Sequence, residues 1–545
     1  MEAIFCFYLV FILSGHIITF AVLSSPAKVN KEHATVSVDC GQVRGLYDAT
    51  SDAYSFRGIP YASPPVDKLR WRPPVPVNSS NNNCWLGVFA ATQFGSPCFQ
   101  RNAVYNATGT LGSEDCLYLN IWTPSLNSTA ELPVMFWIHG GYLTIGNGNW
   151  QDVGYAPTAQ LAHDHNVVYV SINYRLNAFG FMSLEMLRAG SPNNTSGNYG
   201  FMDMLAGLQW VQNNIRQFGG DPKQVSLFGQ SSGGTSIFAL LASPLARGLF
   251  NKAWAISGSP IMNKTAAEAD VDNQVFVRNT GCSDADCLYK MTPEDVILRV
   301  PWEVFPYWDM SDQSGIPPKD RFDGSLPVID DYVLTKAPLE AYVESIGSDV
   351  PVLIGTTAQE LDLEPIPQEV ANWTWADNKY QEYVRNALRP FGDVVAETAL
   401  KLYPEHVQTP EFQLTSLSSD IRLTCGNDYL ALVMANSFTS PVFRYIADYV
   451  PSTPMQAFGD TFPANYAFHG IDMFAYYKTM GLMISNMTDA DRQWEVNVQQ
   501  EVLSFVRTGS PQTSDWGTFP GQTALLNANT TVTTGYHTAQ CLFWL

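Results

Sequence analysis

The chain has 545 residues, 46% of them hydrophobic and 13% aromatic, and a formal net charge of −21. This is the composition of a globular protein with a sizeable core, and α/β enzymes reach such a length as one domain when segments are inserted into a single large sheet. The charge excludes nucleic acid and anionic membrane surfaces as partners, because both repel it.

Ala3 to Leu23 form a nearly continuous apolar run followed by Ser24, Ser25 and Pro26, which predicts a secretory signal peptide over residues 1–24 and a mature chain over 25–545. Glu2 stands where lysine or arginine is usual and the run approaches membrane-span length, so an uncleaved anchor is the competing reading. No second apolar run of that length follows, and the expectation is a secreted, extracellular protein without stable membrane association. Sequons at Asn78, Asn106, Asn127, Asn193, Asn194, Asn263, Asn372, Asn486 and Asn529 suit passage through a secretory pathway. Of nine cysteines, Cys6 lies in the leader, which leaves Cys40, Cys84, Cys98, Cys116, Cys282, Cys287, Cys425 and Cys541 as an even set suited to disulfides. No Cys-x-x-Cys spacing or histidine cluster accompanies them, so no metal is expected.

Short apolar runs of the kind a doubly covered parallel sheet buries begin at Val134 to Ile138 and Val167 to Ile172. Met202 to Ile215 then reads as a helix, with Leu205, Leu208, Val211 and Ile215 at three- and four-residue steps. Further strands are expected at Val225 to Phe228, Ala253 to Ser257, Val350 to Ile354 and Val442 to Ala447, and a terminal amphipathic helix at Asn497 to Val506. Strands alternating with helices predict an α/β fold: a large, mostly parallel central sheet with helices on both faces. Asp270 to Asp331, rich in Pro, Trp and acidic residues, interrupts that rhythm and is the expected place for structure inserted over an active site. No internal repeat or domain-separating linker is present, so one catalytic domain is expected.

The chemistry centres on Val225-Ser226-Leu227-Phe228-Gly229-Gln230-Ser231-Ser232-Gly233-Gly234, an apolar strand running into Gly-x-Ser-x-Gly and then a helix-compatible segment. It reads as a nucleophile elbow, a strained turn that projects the Ser231 hydroxyl toward a base and toward backbone N–H donors. In this fold the serine is followed in chain order by an acid and then a histidine. Glu360, just past the strand at Val350 to Ile354, is the chosen acid, with Asp362 and Glu364 as rivals. Only His406, His469 and His537 follow such an acid, and His469 is preferred because Gly470 lets its loop turn tightly, whereas His406 and His537 sit in polar contexts that suit solvated loops. The oxyanion donors are expected from Ser232 and from Gly141 and Tyr142 in the turn Trp137-Ile138-His139-Gly140-Gly141-Tyr142.

These motifs, with Phe56-Arg57-Gly58-Ile59-Pro60-Tyr61-Ala62, Glu114-Asp115-Cys116-Leu117-Tyr118-Leu119-Asn120 and Phe218-Gly219-Gly220-Asp221-Pro222, resemble the type-B carboxylesterase, lipase and cholinesterase family of α/β-hydrolases from about Val36 to the C-terminus. Asn173-Tyr174-Arg175 and Gly197-Asn198-Tyr199-Gly200 add to the likeness. The resemblance implies an α/β-hydrolase fold, hydrolysis of a small-molecule or lipid ester through an acyl-enzyme, no cofactor, and a supporting role for Ser257 beside the triad. It also implies disulfides Cys98–Cys116, Cys282–Cys287 and Cys425–Cys541, leaving Cys40 and Cys84 to pair. The ending Cys541-Leu542-Phe543-Trp544 is similar to secreted fungal members.

Several positions depart from the family's pattern. Tyr142 stands where a third glycine is usual, and its β-carbon is expected to narrow the acyl or alcohol pocket. Gln230 replaces the glutamate that precedes the nucleophile in cholinesterases, and among the residues from Cys98 to Cys116 only Phe99 and Tyr105 offer rings near the start and middle, so choline esters are poor candidates. Leu361 replaces a frequent glycine after the acid. Gln100, Arg101 and Asn102 make that same loop too polar for a lipase lid. Competing functions are a non-catalytic binding or adhesion protein on the same fold and a transacylase using the same acyl-enzyme.

Overall fold

The structure is a computed structural model that describes residues 7–13, 16–22, 33–102, 109–300, 316, 326–362, 377–404, 408–456 and 463–545. Cys6, Ser24 to Pro26, Tyr105, Asn106, Glu364, Asn372 and His406 lie outside the described residues. Phe7–Leu13 and His16–Val22 form a separate antiparallel hairpin.

The main sheet has 13 strands. In chain order they are β1 (His33–Val38), β2 (Gly41–Asp48), β3 (Ala53–Pro60), β4 (Val88–Ala90), β5 (Tyr118–Thr123), β6 (Leu132–Ile138), β7 (Val168–Ile172), β8 (Gly220–Gln230), β9 (Lys252–Ile256), β10 (Val352–Thr357), β11 (Val442–Ala447), β12 (Thr523–Leu526) and β13 (Thr531–Thr533). The spatial order is β13-β12-β11-β10-β9-β8-β6-β7-β5-β3-β2-β1, with β4 beside β2. From β7 to β12 every neighbour is parallel, and the antiparallel strands lie toward the N-terminal edge, save β13 at the other. The expected parallel strands are all present, while β1 to β5, which carry no long apolar run, were not anticipated.

Alternation of side chains explains why the central strands are mainly apolar on both faces. Val134, Phe136 and Ile138 of β6 enter one core, together with the buried residues of α1 (Tyr199–Asn214) and α2 (Ser232–Ala242). Met135 and Trp137 enter the other, against α5 (Ile471–Tyr477) and α6 (Asp489–Thr508). Trp254 and Ile256 of β9 follow the second pattern, Ala253 and Ala255 the first. Both faces are therefore covered, and polar alternation is absent from the sequence for that reason.

The family-like motifs meet at the N-terminal half of the sheet. Gly58 donates its N–H to Asn120 Oδ1 at 2.9 Å, Tyr61 donates to the Asn173 carbonyl at 2.6 Å, and Arg175 forms a buried ion pair with Asp203 at 2.7 Å. Four disulfides join Cys40 to Cys84, Cys98 to Cys116, Cys282 to Cys287 and Cys425 to Cys541. Of the described sequons, Asn127, Asn193, Asn194, Asn263, Asn486 and Asn529 are exposed and Asn78 is half-buried.

The described part of the 270–331 stretch includes the end of Ala266–Thr280 and the helices Ala285–Tyr289 and Pro293–Arg299, tied to the body by Asn273 on the Ser183 carbonyl and Arg70 on the Met291 carbonyl. His537 is no solvated loop residue. Its ring stacks on Tyr536 at 3.9 Å and its Nδ1 lies 2.8 Å from the buried Asp420 carboxylate, where the C-terminal helix α7 (Thr538–Trp544) docks.

Candidate active site

Ser231 sits between β8 and α2 with φ +60° and ψ −127°. A non-glycine residue adopts positive φ only when its surroundings impose it. Here the Ser231 N–H donates to Ile256 O at 2.8 Å on β9 and its carbonyl accepts from Thr235 N at 3.0 Å, so both peptide units are held. A β-carbon on Gly233 would collide with the Ile138 carbonyl of β6, which is why the helix can start this close to the sheet only with glycine there. The Ser231 side chain is half-buried, and Ser232 beside it is buried.

Glu360 lies in the turn after β10 and is fully buried. Its Oε1 accepts from Ser257 Oγ at 2.7 Å and from Thr357 N at 2.7 Å, and its Oε2 meets His469 Nδ1 at 2.6 Å. That contact assigns the proton to Nδ1 and leaves Nε2 as the acceptor. Gly470, at φ +86°, turns the chain into α5, and a β-carbon there would stand 3.4 Å from Gln230 Nε2. The histidine loop therefore rests against the residue that precedes Ser231.

The turn after β6 lies on the same side. Gly141, Tyr142 and Leu143 have φ of +110°, +59° and +64°, and the Thr144 and Ile145 N–H groups close the turn on the Gly141 carbonyl at 2.9 and 3.0 Å. Leu143 N donates to Ser232 Oγ at 3.0 Å, and a β-carbon on Gly140 would lie 3.0 Å from Ser231 Cβ, so this turn packs directly on the elbow. His139 anchors it. Burial pushes the imidazole down to about 4, so it is neutral, stacked on Tyr174 at 4.4 Å, with Nδ1 2.8 Å from the Gly140 carbonyl.

Tyr142 thus holds the left-handed conformation that its β-carbon disfavours, at a strain of roughly 1–2 kcal/mol. Tyr142→Gly is expected to raise kcat/KM for bulky nitrophenyl esters by several-fold relative to the acetate. Equal rate constants for wild type and variant across a chain-length series would show that the phenol does not bound the pocket.

Three features escaped the sequence reading. Asp472, three residues after His469, is a second buried carboxyl, held by Tyr445 OH at 2.7 Å; burial and the facing Glu360 push it up to about 6. The acid in Phe468-His469-Gly470-Ile471-Asp472 was the available signal. Gln230 is buried, with its Oε1 accepting from Tyr155 OH. The segment facing the site is formed by α3 (Pro410–Ser419), a π-helical turn at Asp420–Thr424 and α4 (Cys425–Ser437). Gln359 Nε2 reaches Ser416 Oγ at 3.4 Å and Asn427 Nδ2 donates to Gly258 O at 2.9 Å, joining this segment to the turns that carry Glu360 and Ser257. π-turns occur often at functional sites because they re-aim the side chains they carry.

Among the described residues no three His, Cys, Asp or Glu side chains are grouped to hold a metal, and no helix is long and apolar enough to cross a membrane. A model of the carboxylesterase family matches residues 32–544. The chain is 32% identical over 505 residues to para-nitrobenzyl esterase of Bacillus subtilis (strain 168), covering 90% of this chain and 94% of that protein. It is 32% identical over 452 residues to fumonisin B1 esterase of Sphingopyxis macrogoltabida, covering 80% and 75%. Among solved structures, a thermophilic PNB esterase superposes with a TM-score of 0.75 at 29% identity, covering 94% of this chain and all of that one.

Proposed function

The chain belongs to the carboxylesterase family and is a carboxylic ester hydrolase with the α/β-hydrolase fold, and we propose that it cleaves small-molecule esters through Ser231, His469 and Glu360. The observation that carries this reading is the 2.6 Å contact between Glu360 and His469 on a loop seated against the Ser231 elbow.

In the proposed reaction His469 Nε2 takes the Ser231 proton as Oγ bonds to the ester carbonyl carbon. The carbonyl oxygen gains the negative charge and receives the N–H groups of Gly141, Tyr142 and Ser232. Collapse expels the alcohol, protonated by the imidazolium, and leaves an acyl-Ser231. Water, deprotonated by His469, attacks that acyl group, releasing the acid and returning the proton to Ser231. Glu360 fixes the Nδ1–H tautomer throughout and stabilises the imidazolium, and Ser257 holds Glu360 in place. No cofactor enters any step.

The same reading includes removal of residues 1–24, export of a mature chain of 25–545, and glycosylation at the exposed sequons. The test is hydrolysis of a chain-length series of nitrophenyl esters, with organophosphate labelling read by mass spectrometry. Turnover with label on Ser231 is the expected result. A folded, secreted protein that neither turns over nor labels would instead be a non-catalytic binding protein on this fold.

A further inference from the structure

Two residues beyond Glu360, in the same turn, lies Asp362, which is buried. Its Oδ2 accepts from the backbone N–H groups of Asn465 and Tyr466, each at 2.8 Å. These residues open the short stretch that ends at His469. The Asn465 side chain turns the other way and donates through Nδ2 to Glu411 Oε1 at 2.6 Å, on α3. Gln359 completes the junction: its N–H donates to Ala467 O at 3.0 Å and its Oε1 accepts from Ala467 N at 3.3 Å. The turn bearing Glu360, the loop bearing His469 and the helix facing the site are therefore fastened at one point, with two carboxyl groups at its centre.

We propose that Asp362 and Glu411 are positioning residues for His469, which set, through Asn465 and Tyr466, the spacing between the histidine loop and the turn that carries Glu360. The inference rests on the triad reading above. The imidazole must meet both Glu360 and the Ser231 hydroxyl, and a displacement of about 1 Å at such a centre costs on the order of a hundredfold in rate. A short loop needs a fastening to be held that well, and the two N–H bonds to one carboxylate oxygen supply one.

The fastening also has a protonation state. The ionisable groups on the three packed segments are Glu360 and Asp362, Tyr466 and His469, and Glu411. Among the described residues no lysine, arginine or histidine forms an ion pair with Asp362 or Glu411. Burial, and the Glu411 carboxyl facing it, push Asp362 up to about 7 from 3.8, and burial also raises Glu411. Two carboxyls in contact hold one proton between them, because both cannot ionise cheaply in a dry site. Since the native value is raised, the stabilisation of the protonated pair is complete below 3.8 and is lost as pH rises through about 7. Above that, like charges push α3 and the Glu360 turn apart, with the histidine loop between them.

The experiment measures kcat and KM for a nitrophenyl ester on both sides of pH 7 in wild type, Asp362→Ala and Asp362→Asn. Asp362→Ala removes the acceptor for both N–H groups, and kcat is expected to fall on the order of tenfold to a hundredfold with KM changed less than about twofold. Asp362→Asn keeps an acceptor for those groups and offers Glu411 an amide N–H in place of the shared proton. It is expected to retain kcat at neutral pH and to lose the alkaline fall expected of wild type above about pH 7. A folded Asp362→Ala with wild-type kcat overturns the proposal. Should that variant fail to fold, the Asp362→Asn profile decides alone: an alkaline limb identical to wild type overturns the proposal, since a purely structural role would move the melting temperature and leave the limb in place. Organophosphate labelling of wild type at Ser231 is read alongside, so that an error in the triad assignment shows as absent label and an error in the positioning assignment as an unmoved profile.

Discussion

Ser231→Ala is expected to lower kcat for nitrophenyl esters by on the order of 10⁶, leaving KM within a few-fold of wild type. The size follows from the geometry of the elbow. At φ +60° the residue spends backbone strain to project its hydroxyl, and the hydrogen bonds to Ile256 and Thr235 keep that conformation whichever side chain is present. Alanine fits the same backbone, so the variant should fold and bind ester while having no atom to acylate. The donors of the Gly141 turn and Ser232 remain, and a residual acceleration of about 10³ to 10⁴ over water is the most they sustain. Labelling by an organophosphate must vanish with the hydroxyl. Retention of label, or a loss of less than about a hundredfold in kcat, would move the nucleophile to another residue.

Why the turn at Ser231 is legible in the sequence and the contacts of Asp362 are not is a matter of where the determining contacts lie. The elbow is local: an apolar strand, a serine and glycines excluded from bearing side chains by β6 sit within ten consecutive positions. The central strands were equally plain, because both faces are buried and each carries a short, mainly apolar run. His469 was reached by chain order together with one neighbouring glycine. By contrast, Asp362 meets Asn465 across 103 positions and Asp472 meets Tyr445 across 27, so neither partner stands near its acid in the sequence. His537 likewise reads as a loop histidine because Asp420, whose carboxylate meets its Nδ1, is 117 positions away. Gln230 is a further case, since adjacency to Ser231 does not reveal that its side chain is buried and accepts from Tyr155 OH. The helix α3 escaped notice because its buried residues are mostly serine, threonine and other polar residues, which carry no periodic apolar signal.

Glu360→Gln carries the second large effect, a fall in kcat of about 10⁴ with little change in KM. The substitution preserves shape, so the loss must come from proton placement. Oε1 of Glu360 is met by two donors, Ser257 Oγ–H and Thr357 N–H, both at 2.7 Å. A glutamine must turn its carbonyl oxygen toward them, because the opposite orientation would set its NH₂ against the Thr357 N–H. Its NH₂ then faces His469 Nδ1 and can only donate. The ring is forced to carry its proton on Nε2, the nitrogen that must accept from Ser231. Ser257→Ala in the glutamine background removes one of the two donors that fix this orientation, so it should recover part of the lost rate, an outcome opposite to that expected if Ser257 merely packs.

The same substitution should alter the pH dependence of stability in a way that activity does not reveal. Asp472 is fully buried and is pushed up to about 6 by burial and by the charge on Glu360. A native value raised above 3.8 means that the folded state holds a proton the unfolded chain has released, so stability present below 3.8 is lost as pH rises through about 6. The span corresponds to ~3 kcal/mol for a fully buried group. Replacing Glu360 by a neutral amide removes the facing charge and lets Asp472 ionise more readily, which shrinks that loss. Wild type and Glu360→Gln should therefore melt alike near pH 4 and diverge toward pH 7, with the inactive variant the more stable. The contribution of Asp362 is common to both proteins and cancels in the difference. Melting curves that fall in parallel over this range would place the charge acting on Asp472 elsewhere. Divergence would show that the buried Glu360 carboxylate beside His469 lowers the stability of the fold, as expected if the site is built for a charge that appears only during turnover.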